Sequence, residues 1–353
     1  MGAYLSSPIT EKEVVTGRSS HFHYGISSHQ GWRKTQEDAH IAEALTDEHH
    51  LFAVLDGHGG AEVAKFVATY LPQELKSLDH FQQGKLAESL ITAFHRMDQM
   101  MLSEEGRPRL DALRPPKIES RSGLSGSARE DAFATLRKIM AINEQSTDNL
   151  PAKPSEPDGP LSEEDTSSQA GCTAVVALVT KKVVVVANAG DSRAVLSRGK
   201  KAIPLFHDHK PSHVTERERI VAAGGFVSEI GGICRVNGNL SLSRAIGDLR
   251  YKTNTELDPA AQIITAEPDI KAIELIEEDD FMVLACDGIW DVLENQEVVD
   301  FIHERLGEKT PDQIASELLD HCLASDPRES RGKGCDNMTC CIVQFKQQPG
   351  STA

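Results

Sequence analysis

Apolar residues in this chain fall in short, dense runs rather than in long alternating stretches. Leu51–Leu55, Thr173–Val179, Lys182–Ala187, Phe281–Ala285 and Thr339–Phe345 each read as a strand with little polar interruption. The pairs between 173 and 197 are separated by turn residues such as Asn188-Ala189-Gly190-Asp191. That spacing predicts antiparallel sheets rather than parallel strands joined by helical crossovers. Helical periodicity follows Gly60 (Ala61–Leu71), Pro211 (Val214–Ala223) and Pro311 (Asp312–Ala324). For the last of these, Thr310 and Gln313 stand at capping-box spacing, with Pro311 in the first turn. Strands and helices interleave along the chain, which favours one large domain.

The segment 101–168 breaks this order. Its apolar periodicity is confined to a predicted helix near Arg129–Met140, with Ser127 and Glu130 placed to cap it. From Asp148 to Ser168 there are six acids, four prolines and a single Lys. Such a composition cannot bury enough apolar surface to offset ordering, so a mobile insert is expected. Pro151, Pro154, Pro157 and Pro160 recur at the three-residue period of a polyproline helix. The expected organisation is a tail over 1–20, a catalytic domain over 21–346 carrying the insert 101–168, and a tail over 347–353.

Charge narrows the partners. With 37 Lys+Arg against 54 Asp+Glu, a formal charge of −17 excludes a phosphate-gripping nucleic-acid surface and favours divalent cations. No apolar run is long enough to span a bilayer and no secretory signal is evident, so a soluble chain is expected. Seven cysteines without any C-x-x-C read as free thiols of a reducing compartment. The start Met1-Gly2-Ala3-Tyr4-Leu5-Ser6 fits the pattern for myristoylation at Gly2. One acyl chain without a basic patch gives only weak, reversible membrane contact.

The chemistry is carried by a repeated design. A buried-type strand runs into Asp-Gly twice, at Asp56-Gly57 and at Asp287-Gly288. Asp336 precedes the last strand, and Asp191 occupies a tight turn between two others. Carboxylates gathered at strand ends from distant parts of the chain suit Mg²⁺ or Mn²⁺ rather than Zn²⁺. His58 follows the first Asp-Gly, and upstream Arg33, Glu37 and Asp38 add a guanidinium and two acids. Arg binds phosphate bidentately, so acids, Arg and His together form a phosphoryl-transfer constellation.

At this point the chain resembles the type 2C protein phosphatases, metal-dependent protein Ser/Thr phosphatases. The matching stretches are GWRKTQEDAH (31–40), VLDGHGG (54–60), GCTA (171–174), NAGDSRA (188–194), DHKP (208–211), NLSLSRAIGD (239–248), LACDGIWDV (284–292) and CDNMT (335–339). The resemblance spans residues 21–346, and the insert is its main departure. It implies an α+β, four-layer α-β-β-α sandwich with two central antiparallel sheets. It further implies hydrolysis of phosphoserine and phosphothreonine in proteins by a water activated between two Mn²⁺ or Mg²⁺ ions.

By the same resemblance, Asp56 bridges both ions and Gly57 offers its carbonyl. Asp287 and Asp336 hold one ion, Glu37 the other, and Asp38 lies close by. Asp191, Asp287 and Asp291 match a weaker third site. Asp248 matches a motif with a supporting role, Arg33 holds the phosphate and His58 protonates the leaving group. Phe206–Leu240 would be a loop-and-helix flap, made mobile by Gly224, Gly225, Gly231 and Gly232. A cytoplasmic monomer acting on phosphoproteins is expected, with nuclear or weakly membrane-associated pools.

Three rivals compete with this reading. His321-Cys322 followed by Arg328 satisfies the H-C-x5-R pattern of thiol phosphatases, but the stretch lacks the glycines of a phosphate loop and Cys322 lies on a helical apolar face. His207, His209 and His213 could suggest zinc, yet they read as solvated loop histidines. A catalytically silent, phosphatase-like binding protein is the alternative from another class; every matched ligand is present, which speaks against it. Neither a P-loop nor G-x-S-x-G occurs.

Overall fold

The computed structural model describes residues 4–114 and 169–346. The expected helix at 129–140, the proline repeat and Gly2 lie outside the described residues.

Why the apolar runs are continuous becomes plain from the layers. One antiparallel sheet orders its six strands β1 (Glu13–Arg18), β2 (Phe22–His29), β16 (Met338–Phe345), β15 (Asp279–Ala285), β9 (Arg193–Arg198) and β10 (Lys201–Pro204). The other orders five: β14 (Asp269–Glu274), β8 (Val183–Ala189), β7 (Ala174–Val179), β4 (His50–Leu55) and β3 (Ala39–Ala44). Phe52 and Val54 of one sheet pack with Met282, Leu284, Cys341 and Val343 of the other in the layer between them. The alternate positions Leu51, Ala53 and Leu55 face outward onto α1 (Glu62–Ser77) and α3 (Leu86–Leu102). Phe281, Val283, Cys340 and Ile342 do the same towards α7 (Asn295–His303) and α8 (Pro311–Cys322). Central strands buried on both faces have no polar face to alternate with. The result is the expected α-β-β-α sandwich.

Most expected elements sit where the pattern places them. The capping box at the start of α8 forms, with the Thr310 N–H donating to Gln313 at 3.1 Å. Two elements run differently. Helix α1 continues through Pro72 to Ser77, giving up one internal hydrogen bond while Leu71 and Leu75 become fully buried. Residues 101–113 continue helical structure rather than forming loop: α3 ends at Leu102, and α4 (Gly106–Ala112) buries Leu110 against the same core as Met101. The short helix α2 (Asp79–Gln82) turns the chain between α1 and α3. Among the described residues no helix is long and apolar enough to cross a membrane. All seven cysteines are free.

His29, at the end of β2, gives the fold a marked acid sensitivity. It is 2% exposed and neither ring nitrogen has a hydrogen-bond partner among the described residues. Burial, then the Lys12 charge, pull it down to about 4, only partly offset by Asp320. Its folded pKa therefore lies below the unfolded value, so its contribution is present above pH 6.5 and lost as pH falls towards about 4. That loss is on the order of 3 kcal/mol. We expect denaturant midpoints to fall steeply over this window and His29→Leu to flatten the fall. A wild-type profile level across it would refute the assignment.

Candidate active site

The strand register brings the chemistry-bearing residues to one end of both sheets. Ala39 pairs with Leu55, and Ala174 with Ala189, so Asp38, Asp56 and Asp191 emerge together from the five-stranded sheet. In the six-stranded sheet Ala285 lies opposite Cys340 and Arg193, while His29 lies opposite Met338. Asp287, Asp336 and the loop carrying Arg33 therefore leave at the same end. Asp287 opens α6 (Asp287–Trp290) immediately after β15.

These segments enclose a cleft of about 490 Å³ lined by Arg33, Glu37, Asp56, Gly57, His58, Asp191, Asp287 and Asp336. Asp38 lies behind it, 6% exposed. Oxygens of Asp38 and Asp56 and the Cys286 sulfur fall within 4.8 Å of one another. Asp291 caps α6, its N–H donating to the Asp287 carbonyl at 2.8 Å; it is exposed, outside the lining of the cleft, and feels the charges of Lys210, Asp191 and Asp336. Gly2 is outside the described residues.

Crowding of acids sets the electrostatics. Burial, reinforced by Asp287, Asp38, Asp191 and Asp336, pushes the Asp56 carboxyl well above the usual carboxylate range. Asp287 is pushed up likewise by burial and then by Asp191 and Asp336. Asp38 is raised to about 7 by burial, although its Oδ2 accepts the Thr339 hydroxyl at 2.7 Å. Among the described residues two cations offset this charge directly: Arg33 pairs with Asp336, and Lys210 with Asp191.

The donor set fits divalent cations that prefer oxygen. Asp38 Oδ1 is buried without a hydrogen-bond partner, beside Asp56, and that is an orphaned acceptor which a cation or its water would satisfy. A thiol suits oxygen-preferring cations less well than the carboxylates around it, so Cys286 is left out of the proposed ligand set. Burial raises its thiol well above the ordinary range, and its sulfur accepts the Thr339 N–H at 3.2 Å.

Comparison with known proteins decides the family. The family model "PP2C: Protein phosphatase 2C" matches residues 22–127 and 117–330. The Arabidopsis thaliana protein named "Probable protein phosphatase 2C 21" is 46% identical over 98% of this chain and 93% of its own length. A Paramecium tetraurelia relative, "Probable protein phosphatase 2C 5", is 40% identical over 98% of this chain and all of its own. The chain belongs to the protein phosphatase 2C family. Its fold is shared by the crystal structure of a serine-threonine phosphatase 2C from Toxoplasma gondii, with a TM-score of 0.61 at 22% identity, covering 95% of this chain and 99% of that one.

The structure adds contacts within the phosphatase site that the sequence motifs leave undefined. Asp248, fully buried, lies 2.6 Å from His58 Nε2 through its Oδ2. Strands β5 (Gly57–His58), β6 (Gly171–Cys172) and β13 (Ile246–Gly247) form the small sheet that creates this contact. Gly171 lies between them: a Cβ there would come 2.4 Å from Asp248 and 2.7 Å from His58. Asn337 accepts the Glu37 N–H at 3.0 Å and donates to the carbonyls of Gln30 and Thr35, fixing the loop that carries Arg33. The motif marks Asp248, but a separation of 190 residues hides its pairing with His58.

Two readings are corrected. His209 is not a solvated loop histidine but is 4% exposed: its Nδ1 accepts the Gly190 N–H at 3.0 Å and its Nε2 lies 3.1 Å from Asp269. It staples the turn that presents Asp191, while His207 and His213 are exposed. The flap is not only loop and helix. After α5 (Val214–Ala222), strands β11 (Val227–Ile230) and β12 (Ile233–Val236) form a hairpin. Gly231 and Gly232, at φ 61° and 83°, close its two-residue turn. Cys322 packs in the core under α8, its thiol pushed up to about 12 by burial, which removes the thiol-phosphatase reading.

Proposed function

We propose that this phosphatase hydrolyses phosphoserine and phosphothreonine in proteins, using two Mn²⁺ or Mg²⁺ ions. The observation that supports it is the convergence of Asp38, Asp56, Asp287 and Asp336 on one cleft, with an unpartnered Asp38 oxygen among them. Asp56 would be shared by both ions, Asp287 and Asp336 would hold one, and Glu37 with the Gly57 carbonyl the other. Asp38 supports them from behind, and Asp191, Asp287 and Asp291 would form a weaker third site. Bound divalent ions acidify water and neutralise phosphate charge.

The chain's own residues do the rest. Arg33, 52% exposed at its side chain, trades its pair with Asp336 for the phosphate oxygens and holds them in line. Burial works against protonated His58, but the Asp248 carboxylate outweighs it and raises the pKa above the ordinary histidine value. With Nε2 engaged by Asp248, Nδ1 is the atom that offers a proton to the departing serine or threonine oxygen. We further propose acylation at Gly2, within the M-G-x-x-x-S pattern of residues 1–6, giving weak membrane contact to a monomeric cytoplasmic protein; the intact mass of the cellular protein would test the acylation.

The deciding experiment is hydrolysis of a phosphothreonine peptide with Mn²⁺, with Mg²⁺ and with EDTA. Activity should require metal and survive Cys322→Ser unchanged. Turnover that persists in EDTA would defeat the proposal.

A further inference from the structure

We propose that Tyr4 is a specificity-determining residue, whose ring walls the mouth of the cleft and grips the peptide chain next to the phosphorylated residue. This rests on the protein-phosphatase reading above and extends it to how long substrates are distinguished from short ones.

The first described residues do not trail away from the domain. The Leu5 N–H donates to the Trp32 carbonyl at 3.0 Å, and Ile9 exchanges backbone hydrogen bonds with Gly31 at 2.8 and 3.0 Å. Trp32 is itself buried and its Nε1–H donates to the Ala324 carbonyl at 2.8 Å. The strap is therefore fastened at two points to the base of the loop that carries Arg33. It delivers Tyr4 to the cleft beside Arg33 and Lys34, with the Tyr4 hydroxyl reaching towards Gly332.

The cleft's composition says what such a ring can read. Its floor is carboxylates, Arg33 and His58, which meet the phosphoryl group that every substrate shares. Among the described residues, apolar lining comes from Tyr4 and, on the flap side, Leu240 and Leu242. Tyr4 remains 37% exposed, so much of its surface is available to a ligand. A rigid aromatic group supplies contact area at little entropic cost and accepts the backbone and apolar side chains that flank a phosphoresidue. A small aryl phosphate, seated on the floor, exploits that wall much less.

The test compares Tyr4→Ala, Tyr4→Phe and Leu5→Pro with the wild type on a phosphothreonine peptide and on an aryl phosphate. We expect Tyr4→Ala to lower the ratio of peptide to aryl phosphate kcat/KM about tenfold, through KM for the peptide. Tyr4→Phe should restore the ratio, and Leu5→Pro, which removes the strap's hydrogen-bond donor, should reproduce the loss. An unchanged ratio, with both substrates equally affected or neither, would overturn the proposal. Binding of a non-hydrolysable phosphonate peptide in Mg²⁺ separates the two readings. If the wild type binds it without turning over phosphopeptide, the functional reading falls. A Kd raised about tenfold by Tyr4→Ala would still support the wall; an unchanged Kd would remove it.

Discussion

Asp56→Asn should abolish turnover, by about 10³-fold or more, and at the same time make the metal-free protein more stable. The first effect follows from position: Asp56 is the carboxylate at the centre of the cluster, and its charge is what would hold both cations. A 10³-fold loss corresponds to about 4 kcal/mol of transition-state stabilisation. The second effect has the opposite sign because the metal-free site is a concentration of like charge. Burial and then Asp287 raise the Asp56 carboxyl. A buried acid whose folded pKa exceeds the unfolded value costs stability progressively as pH rises above the unfolded value near 4. Asparagine keeps the shape and removes that cost. The EDTA-treated variant should melt about 2–5 °C above EDTA-treated wild type at pH 7.5. With Mn²⁺ the order should reverse, because only the wild type gains strongly from the ion. Equal melting temperatures in EDTA would show that the acids do not repel through Asp56, and full activity in the variant would remove Asp56 from the site.

This duality explains what the sequence made legible. Asp56 and Asp287 could be found because each ends a strand whose apolar run is uninterrupted, and strands buried on both faces have no other reading in a two-sheet core. The ends of such strands are where polar groups can collect, so the metal ligands followed from the same pattern as the fold. What stayed hidden depends on contacts between segments without a periodic signature. Asp248 is marked by its motif, but its partnership with His58 emerges only when β5, β6 and β13 align His58 opposite Gly171 and Gly171 opposite Gly247. His209 looked like one of three loop histidines until Gly190 and Asp269 closed around it. The Gly231-Gly232 pair also closes a hairpin, between Val227–Ile230 and Ile233–Val236, whose short strands carry too little alternation to announce it. Pro72 marked a helix end that the burial of Leu75 overrode.

Replacing His58 with Ala should discriminate between leaving groups. On a phosphoserine peptide we expect a loss of about 10²-fold, the lower range of general acid catalysis, because an alkoxide leaves poorly without a proton. On an aryl phosphate, whose leaving group is stable as an anion, the loss should be threefold or less on the same scale. In this proposal Asp248 acts through His58 as a positioning residue: its carboxylate holds Nε2 at 2.6 Å, which leaves Nδ1 as the ring nitrogen for the substrate. Asp248→Asn should therefore reproduce part of the peptide-specific loss. The two changes should not add, since residues in one hydrogen-bonded pair are coupled. The double variant His58→Ala with Asp248→Asn should be no slower on the peptide than His58→Ala alone. Full additivity would mean that Asp248 supports the small sheet and Gly171 rather than the histidine. Equal losses on peptide and aryl phosphate would mean that His58 orders the cleft without supplying a proton.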